Sequence, residues 1–185
     1  ADGPVGGVPP LHDARAGVNL TVLVNAGPWL AVPPEGYGGI ETVVATLVPE
    51  LRRAGVRVVL ATVGTSTLEA DGYVRPIAEP RFHSVAAPYN QASGIAHAHM
   101  CGVVAALRDD PSIDLVHDHL EVAGPAMLMA TGEQSPPTLQ TLHWDLCKHA
   151  EFYSTFDGHG QIAFAAVSQS QLNMAPPSLR AQTIG

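Results

Sequence analysis

Residues 40–63 read IETVVATLVPELRRAGVRVVLATV, an amphipathic run that passes through Ala54-Gly55 into a block of β-branched residues. Ile40, Val43, Val44, Leu47, Leu51 and Ala54 recur at helical spacing on one face, and Gly55 supplies the stop that ends many helices. Pro49 removes one backbone hydrogen bond, but the apolar face continues through Leu51, so the spacing predicts one bent helix rather than two. The block at 56–63 predicts a strand. Upstream, residues 18–25 (VNLTVLVN), closed by Ala26-Gly27-Pro28, predict a first strand buried on both faces. Strand, helix and strand in this order form the unit from which parallel sheets are built.

The alternation continues downstream. Gly72, Pro76, Pro80 and Pro88 cut residues 64–88 into pieces such as 73–77 and 82–86, which predict one or two short strands. Residues 91–108 predict a helix with Ile95, His99, Val103, Ala106 and Leu107 towards the sheet. Strands are then expected at 113–117, 138–142 and 163–167, a helix at 122–130, a helical turn at 168–174 and a last strand at 181–184. This is the pattern of an α/β fold, Rossmann-like, with a doubly wound, mainly parallel sheet and helices on both faces. Ligands of such sheets bind outside the carboxyl ends of the strands, so the informative loops follow Asn25, His117, Leu142 and Val167.

Composition narrows the partners. In 185 residues, 46% hydrophobic and 14% charged, there is material for one domain with its own core. A formal charge of −8 and a pI near 5.5 argue against nucleic acid, which requires clustered cations; Arg52, Arg53 and Arg57 fall where a helix ends and suit its dipole. Two cysteines, Cys101 and Cys147, predict thiols in a reducing compartment, and no apolar run is long enough to span a membrane. Residues 1–17 are rich in Gly and Pro without a basic or apolar signal region, and are expected to form a loosely ordered leader of a cytoplasmic chain, with the domain at 18–185.

Four features carry candidate chemistry. Gly36-Tyr37-Gly38-Gly39-Ile40-Glu41 follows an unusually long strand-to-helix connection and joins the first helical turn, where glycines permit positive φ and close approach and free N–H groups meet an anion or hydroxyl. It is neither a Walker A loop nor a dinucleotide fingerprint, and a structural turn explains the glycines as well. His117-Asp118-His119 puts two imidazoles on one strand face, a pattern open to a metal-dependent hydrolase if His143 approaches. His143 ends the strand 138–142 and is expected to project into the same mouth as the glycine loop. Ser168 begins a helical turn and reads as an N-cap, which leaves ligand contact open.

Taken together, Pro34 to Glu41 (PEGYGGIE), the helix ending Glu50 to Gly55, Val56 to Thr65, Ile113 to His119 (IDLVHDH), Pro137 to His143 (PTLQTLH) and Ala165 to Ser170 (AAVSQS) resemble the N-terminal half of a family 4 retaining glycosyltransferase of two-domain GT-B architecture. The resemblance implies an acceptor-side domain of an enzyme, hexosyltransferase in type, that moves a sugar from a nucleotide-sugar to a hydroxyl-bearing acceptor. By the same resemblance, Gly38 and Gly39 lie near the donor phosphates and His143 is the catalytic residue beside the transferred sugar. His119, Trp144 and Ser168 fall at cleft or acceptor positions. Neither a metal nor a resident cofactor is expected. Many relatives have glycine after the cleft histidine where this chain has Trp144, and the family's paired glutamates of the donor domain have no counterpart here. The chain is therefore expected to be nearly inactive without its own C-terminal domain. The residues without the resemblance leave two alternatives: a non-enzymatic carbohydrate- or nucleotide-binding module, and a metal-dependent hydrolase using His117 and His119.

Overall fold

The computed structural model describes residues 19–156, 161–180 and 183–184; the leader expected at 1–17 lies outside them. Seven strands, β1 (Thr21–Asn25), β2 (Arg57–Val63), β3 (Gly72–Ile77), β4 (Leu115–Asp118), β5 (Thr138–Leu142), β6 (Ile162–Ala166) and β7 (Thr183–Ile184), form one sheet in the order β3-β2-β1-β4-β5-β6-β7. Every neighbouring pair is parallel. Six helices intervene: α1 (Gly39–Arg53), α2 (Tyr89–Asp109), α3 (Ala123–Thr131), α4 (Ala150–Tyr153), α5 (Gln169–Met174) and α6 (Pro177–Arg180).

The period of two along the strands sorts the core into layers. Val22, Val24, Val58 and Leu60 meet Val44 and Val48 of α1 on one face. Leu23, Val59 and Ala61 point the other way, against Met100, Val103 and Leu107 of α2. All five residues of β1 are buried, as expected of a central parallel strand with helices on both sides. Pro49 lies inside a continuous α1, and Gly55 takes the left-handed conformation, φ 85°, just beyond its end. From β1 the chain winds outward through β2 and β3, then returns to lay β4 on the opposite side of β1. Asn25 and Asp118 are register partners at this reversal, and such a switch point opens the crevice used by ligands.

Three sequence expectations change. Residues 82–86 do not form a strand: Phe82–Ser84 is a 3-10 turn, drawn to the β1–α1 loop by hydrogen bonds from the Arg81 and Phe82 N–H groups to the carbonyls of Pro28 and Trp29 at 3.0 and 2.9 Å. The buried stripe of α2 is Ala96, His99, Met100, Val103 and Leu107, while Ile95 and Ala106 are only half-buried. Neither Gly38, extended at φ 160°, nor Gly39 is in the left-handed region; the left-handed glycines of that loop are Gly27 and Gly36, at 81° and 90°. No helix among the described residues is long and apolar enough to cross a membrane.

Candidate functional site

Parallel pairing brings the ends of β1, β4, β5 and β6 to one edge of the sheet, where Asn25, His99, Asp118, His119 and Gln171 are buried. Asn25 closes β1 with its amide fully engaged. Its Nδ2 donates to Asp118 Oδ1 at 2.6 Å and to Met100 Sδ at 3.2 Å, while its Oδ1 accepts from Gly27 N–H at 3.1 Å and from His99 Nε2 at 2.7 Å. Asp118 is wholly buried, and desolvation raises its carboxyl to about 8 despite the Asn25 hydrogen bond. At neutral pH it therefore keeps its proton. Burial also lowers His99 to about 4, so this floor of the site is uncharged.

Three imidazoles stand above it. His117 on β4 and His119 two residues later share a face, their centroids 4.3 Å apart. His117 Nε2 meets Thr141 Oγ1 on β5 at 2.8 Å, and His119 Nδ1 meets His143 Nε2 at 2.8 Å. The His119 backbone N–H adds one rung to the sheet by donating to the Asn25 carbonyl at 3.0 Å. Burial, followed by the nearby charge of its neighbours, holds His117 at about 4 and His119 well below the ordinary histidine value; burial alone lowers His143. All three are neutral at pH 7. Among the described residues no group of three His, Cys, Asp or Glu is arranged to hold a metal ion, and one nitrogen each of His117 and His119 is engaged by Thr141 and His143.

Two side chains without a candidate role in the sequence set the backbone at the ends of β5 and β6. Glu121 Oε1 accepts the N–H of His143 in a very short hydrogen bond and that of Trp144 at 2.7 Å, while the Tyr153 hydroxyl donates to Oε2 at 3.3 Å. Burial raises the Glu121 carboxyl to about 7, against the pull of those three donors. Gln171 Nε2 donates to the carbonyls of Leu142 and Trp144, both at 2.9 Å, and its Oε1 accepts from Val167 N–H at 3.0 Å. Ser168 is the N-cap of α5, its hydroxyl accepting from Gln171 N–H at 3.1 Å. The Ser168-x-x-Gln171 spacing, a capping-box signature, was the available signal for Gln171.

The glycine turn stands at the same carboxyl edge, where the β1–α1 loop enters the helix. Val32 anchors that loop in the core, donating to Ser66 Oγ at 2.9 Å and accepting from the N–H groups of Thr67 and Leu68 at 3.0 and 2.9 Å. A side chain at Gly38 would place its Cβ 2.6 Å from Pro34 Cβ, so close packing requires that glycine, whereas the space beside Gly39 is open. Glu41 is buried, and its carboxylate accepts the N–H groups of Glu41 itself and Leu30; burial still raises its pKa on balance. Its carboxylate thus ties the first turn of α1 to the loop before it. Among the described residues, the Gly39 and Ile40 N–H groups at the positive end of α1 have no acceptor.

The structure thus joins His119 and His143 directly, and ties Trp144 and Ser168 to them through Glu121 and Gln171. Gly38 and Gly39 share the edge without a direct bond to the histidines. Trp144 keeps 45% of its surface exposed. Cys101 and Cys147 are free, exposed thiols.

The family described as Glycosyl transferase 4-like domain matches residues 38–175, from the glycine turn to just past α5. No curated protein sequence matches the chain. Among solved structures, AviGT4, a glycosyltransferase involved in avilamycin A biosynthesis, is similar at 27% identity with a TM-score of 0.44. The similarity covers 68% of this chain and 33% of that one, so the chain spans about a third of that enzyme's length.

Proposed function

The chain belongs to the glycosyl transferase 4-like family, and from that premise we propose that it is the acceptor-side, N-terminal half of a retaining hexosyltransferase acting in the cytoplasm. A second α/β domain, following in the full-length protein, supplies the other wall of the cleft and most of the nucleotide-sugar contacts. In the reaction the bond from the anomeric carbon to the diphosphate oxygen breaks. The acceptor oxygen bonds to that carbon on the same face, and its proton passes to the departing diphosphate. Leaving-group charge grows in that step, and preorganised N–H groups stabilise it without reorganising. Gly39 and Ile40 offer such groups, with Gly38 letting the loop fold closely enough to present them. His143 hydrogen-bonds the transferred sugar. His119 and Ser168 support the cleft, and Trp144 gives a stacking face to an acceptor ring.

The observation that carries this reading is the His143 imidazole at the end of β5. It is half-buried and neutral, with Nε2 bonded to His119 and Nδ1 without a hydrogen-bond partner among the described residues. A ring so held offers one nitrogen to a ligand at the edge where doubly wound sheets bind them. The test is to express the gene with whatever coding sequence follows Gly185 and assay transfer from a panel of nucleotide-sugars. His143→Ala is expected to lower turnover by about 10²-fold or more with folding intact. Undiminished turnover in that variant would remove His143 from the site, and rapid transfer by residues 1–185 alone would overturn the half-enzyme reading.

A further inference from the structure

We propose that His119 is a positioning residue that fixes the tautomer of His143, so that His143 offers the cleft an Nδ1–H donor. What stands opposite that donor rests on the transferase reading; the tautomer itself rests on the geometry of the two rings. His119 Nδ1 and His143 Nε2 are 2.8 Å apart, the ring centroids 5.1 Å apart, and the planes inclined by only 29°. The difference between the two distances is taken up by the two ring radii. The nitrogens therefore face each other along the line of centroids, as in an N–H···N hydrogen bond, rather than sitting one ring above the other. Between two neutral imidazoles that line holds a single proton: two N–H groups would collide, and two lone pairs would repel.

The owner of the proton follows from the far side of His119. That side chain is 1% exposed, and its Nε2 is buried without a partner among the described residues. If His143 Nε2–H were the donor, His119 would carry its own proton on Nε2, as a buried N–H with no acceptor. Orphaned buried N–H groups are rarer in folded proteins than under-satisfied acceptors. The proton between the rings therefore belongs to His119 Nδ1, and Nε2 of His119 is the bare nitrogen. His143 Nε2 then accepts, and a neutral imidazole that accepts at Nε2 carries its hydrogen on Nδ1.

His117 restricts the alternatives further. Its ring lies against His119 at 4.3 Å, and its own Nε2 is occupied by Thr141 Oγ1 at 2.8 Å. A proton added to any of the three rings would sit beside two other imidazoles in a buried site. The consequence is chemical: His143 donates to an oxygen of a sugar or phosphate and has no free lone pair with which to deprotonate an acceptor hydroxyl.

The test is a set of long-range proton–nitrogen correlation spectra of the 185-residue chain labelled with 15N-histidine. Wild type is expected to show His143 with a protonated Nδ1 and a bare Nε2. In His119→Ala the proton should move to Nε2, the tautomer that an unconstrained histidine favours. In His119→Asn it should remain on Nδ1, because the asparagine amide nitrogen hangs from the same carbon as the imidazole Nδ1 and can donate in its place. A wild-type His143 protonated on Nε2, or alanine and asparagine variants with identical His143 patterns, would overturn the proposal. If His119→Ala fails to fold, the wild-type and His119→Asn spectra decide. None of these spectra requires a substrate, so a failure of sugar transfer and a failure of this assignment are separate results.

Discussion

Glu121 lies two residues beyond His119, at the start of a turn that β-branched side chains avoid. Val122 has φ 62° and ψ −67°, and the Ala123 N–H donates to the Glu121 carbonyl at 2.8 Å, closing a γ-turn of the strained hand. Such a backbone costs on the order of 1–3 kcal/mol and persists where its surroundings hold it. Here it carries the carboxylate to the N–H groups of His143 and Trp144. Glu121→Ala is therefore expected to lose about 2–4 kcal/mol by leaving those donors without their acceptor, while Glu121→Gln, which keeps one amide oxygen, loses less than half as much. Urea unfolding measures both, and an alanine variant as stable as wild type would contradict the geometry. The glycine pair gives a second contrast. Gly38→Ala drives a Cβ to 2.6 Å from Pro34 and should cost about 1–3 kcal/mol. Gly39→Ala enters open space and should stay within about 0.5 kcal/mol of wild type. Calorimetric melts showing equal losses would mean that the two glycines are not placed differently. His119 and His143 were legible in the sequence because residues at the ends of parallel strands share one edge. Glu121 was not, since an acid in a short connection reads as solvated until the turn at Val122 directs it inward. The different needs of Gly38 and Gly39 were equally hidden, because they depend on where Pro34 packs.

At the level of elements, the sequence was most legible where burial leaves one solution. β5 has the boundaries expected from its apolar run, and α1 runs through Pro49 because its face is kept by residues on both sides. Ends set by partners were less so. β4 begins at Leu115 rather than Ile113 because pairing with β1 begins at Val22↔Leu115. The piece at Phe82 could not be assigned locally, since the carbonyls that turn it belong to Pro28 and Trp29, more than fifty residues away in sequence. The face of α2 is likewise decided by its crossing of β3. At Gly102 a Cβ would lie 2.2 Å from Pro76 Cγ, so the helix touches the edge strand through a glycine on one side and a rigid ring on the other. Gly102→Ala is expected to cost about 1–3 kcal/mol, and the cost should largely vanish in a Pro76→Gly background, which removes both the Cγ at 2.2 Å and the Cβ at 2.7 Å. A double-mutant cycle measures the coupling. Additive losses would show that the two elements do not meet at this point.

Across the whole molecule, the buried titratable groups work in opposite directions, and their balance sets the pH of greatest stability. His99 and His117, both held at about 4, and His119 and His143, both lowered, stay neutral in the fold while unfolded histidines take up protons below about 6.5. Stability from these four is present above that pH and lost as pH falls below it, over a window that reaches down to about 4 for His99 and His117. Asp118 at about 8, Glu121 at about 7 and Glu41, also raised, hold protons in the fold that unfolded carboxyls release near pH 4, so their contribution is lost as pH rises. Between about 4 and 6.5 the pull of His99 and His117 offsets that of Asp118 and Glu121 and His119 tips the balance towards loss on acidification, while well above pH 6.5 the unfolded histidines are neutral and only the carboxyls act. Stability should therefore be highest near pH 6.5 and fall on both sides. Each proton held in one state alone tilts stability by about 1.4 kcal/mol per pH unit, so Glu121 up to about 7 and Asp118 up to about 8 together remove about 2–3 kcal/mol between pH 6.5 and 8, of which the unfolded histidines, half-protonated at pH 6.5 and neutral at pH 8, return about 1–2 kcal/mol. Urea titrations across pH 5 to 9 read this directly. Asp118→Asn replaces the protonated acid by a neutral side chain of the same shape, which can still accept from Asn25, and should remove most of the alkaline fall. If that fall survives unchanged in the variant, the proton lost above neutrality is not the one buried beneath the histidines.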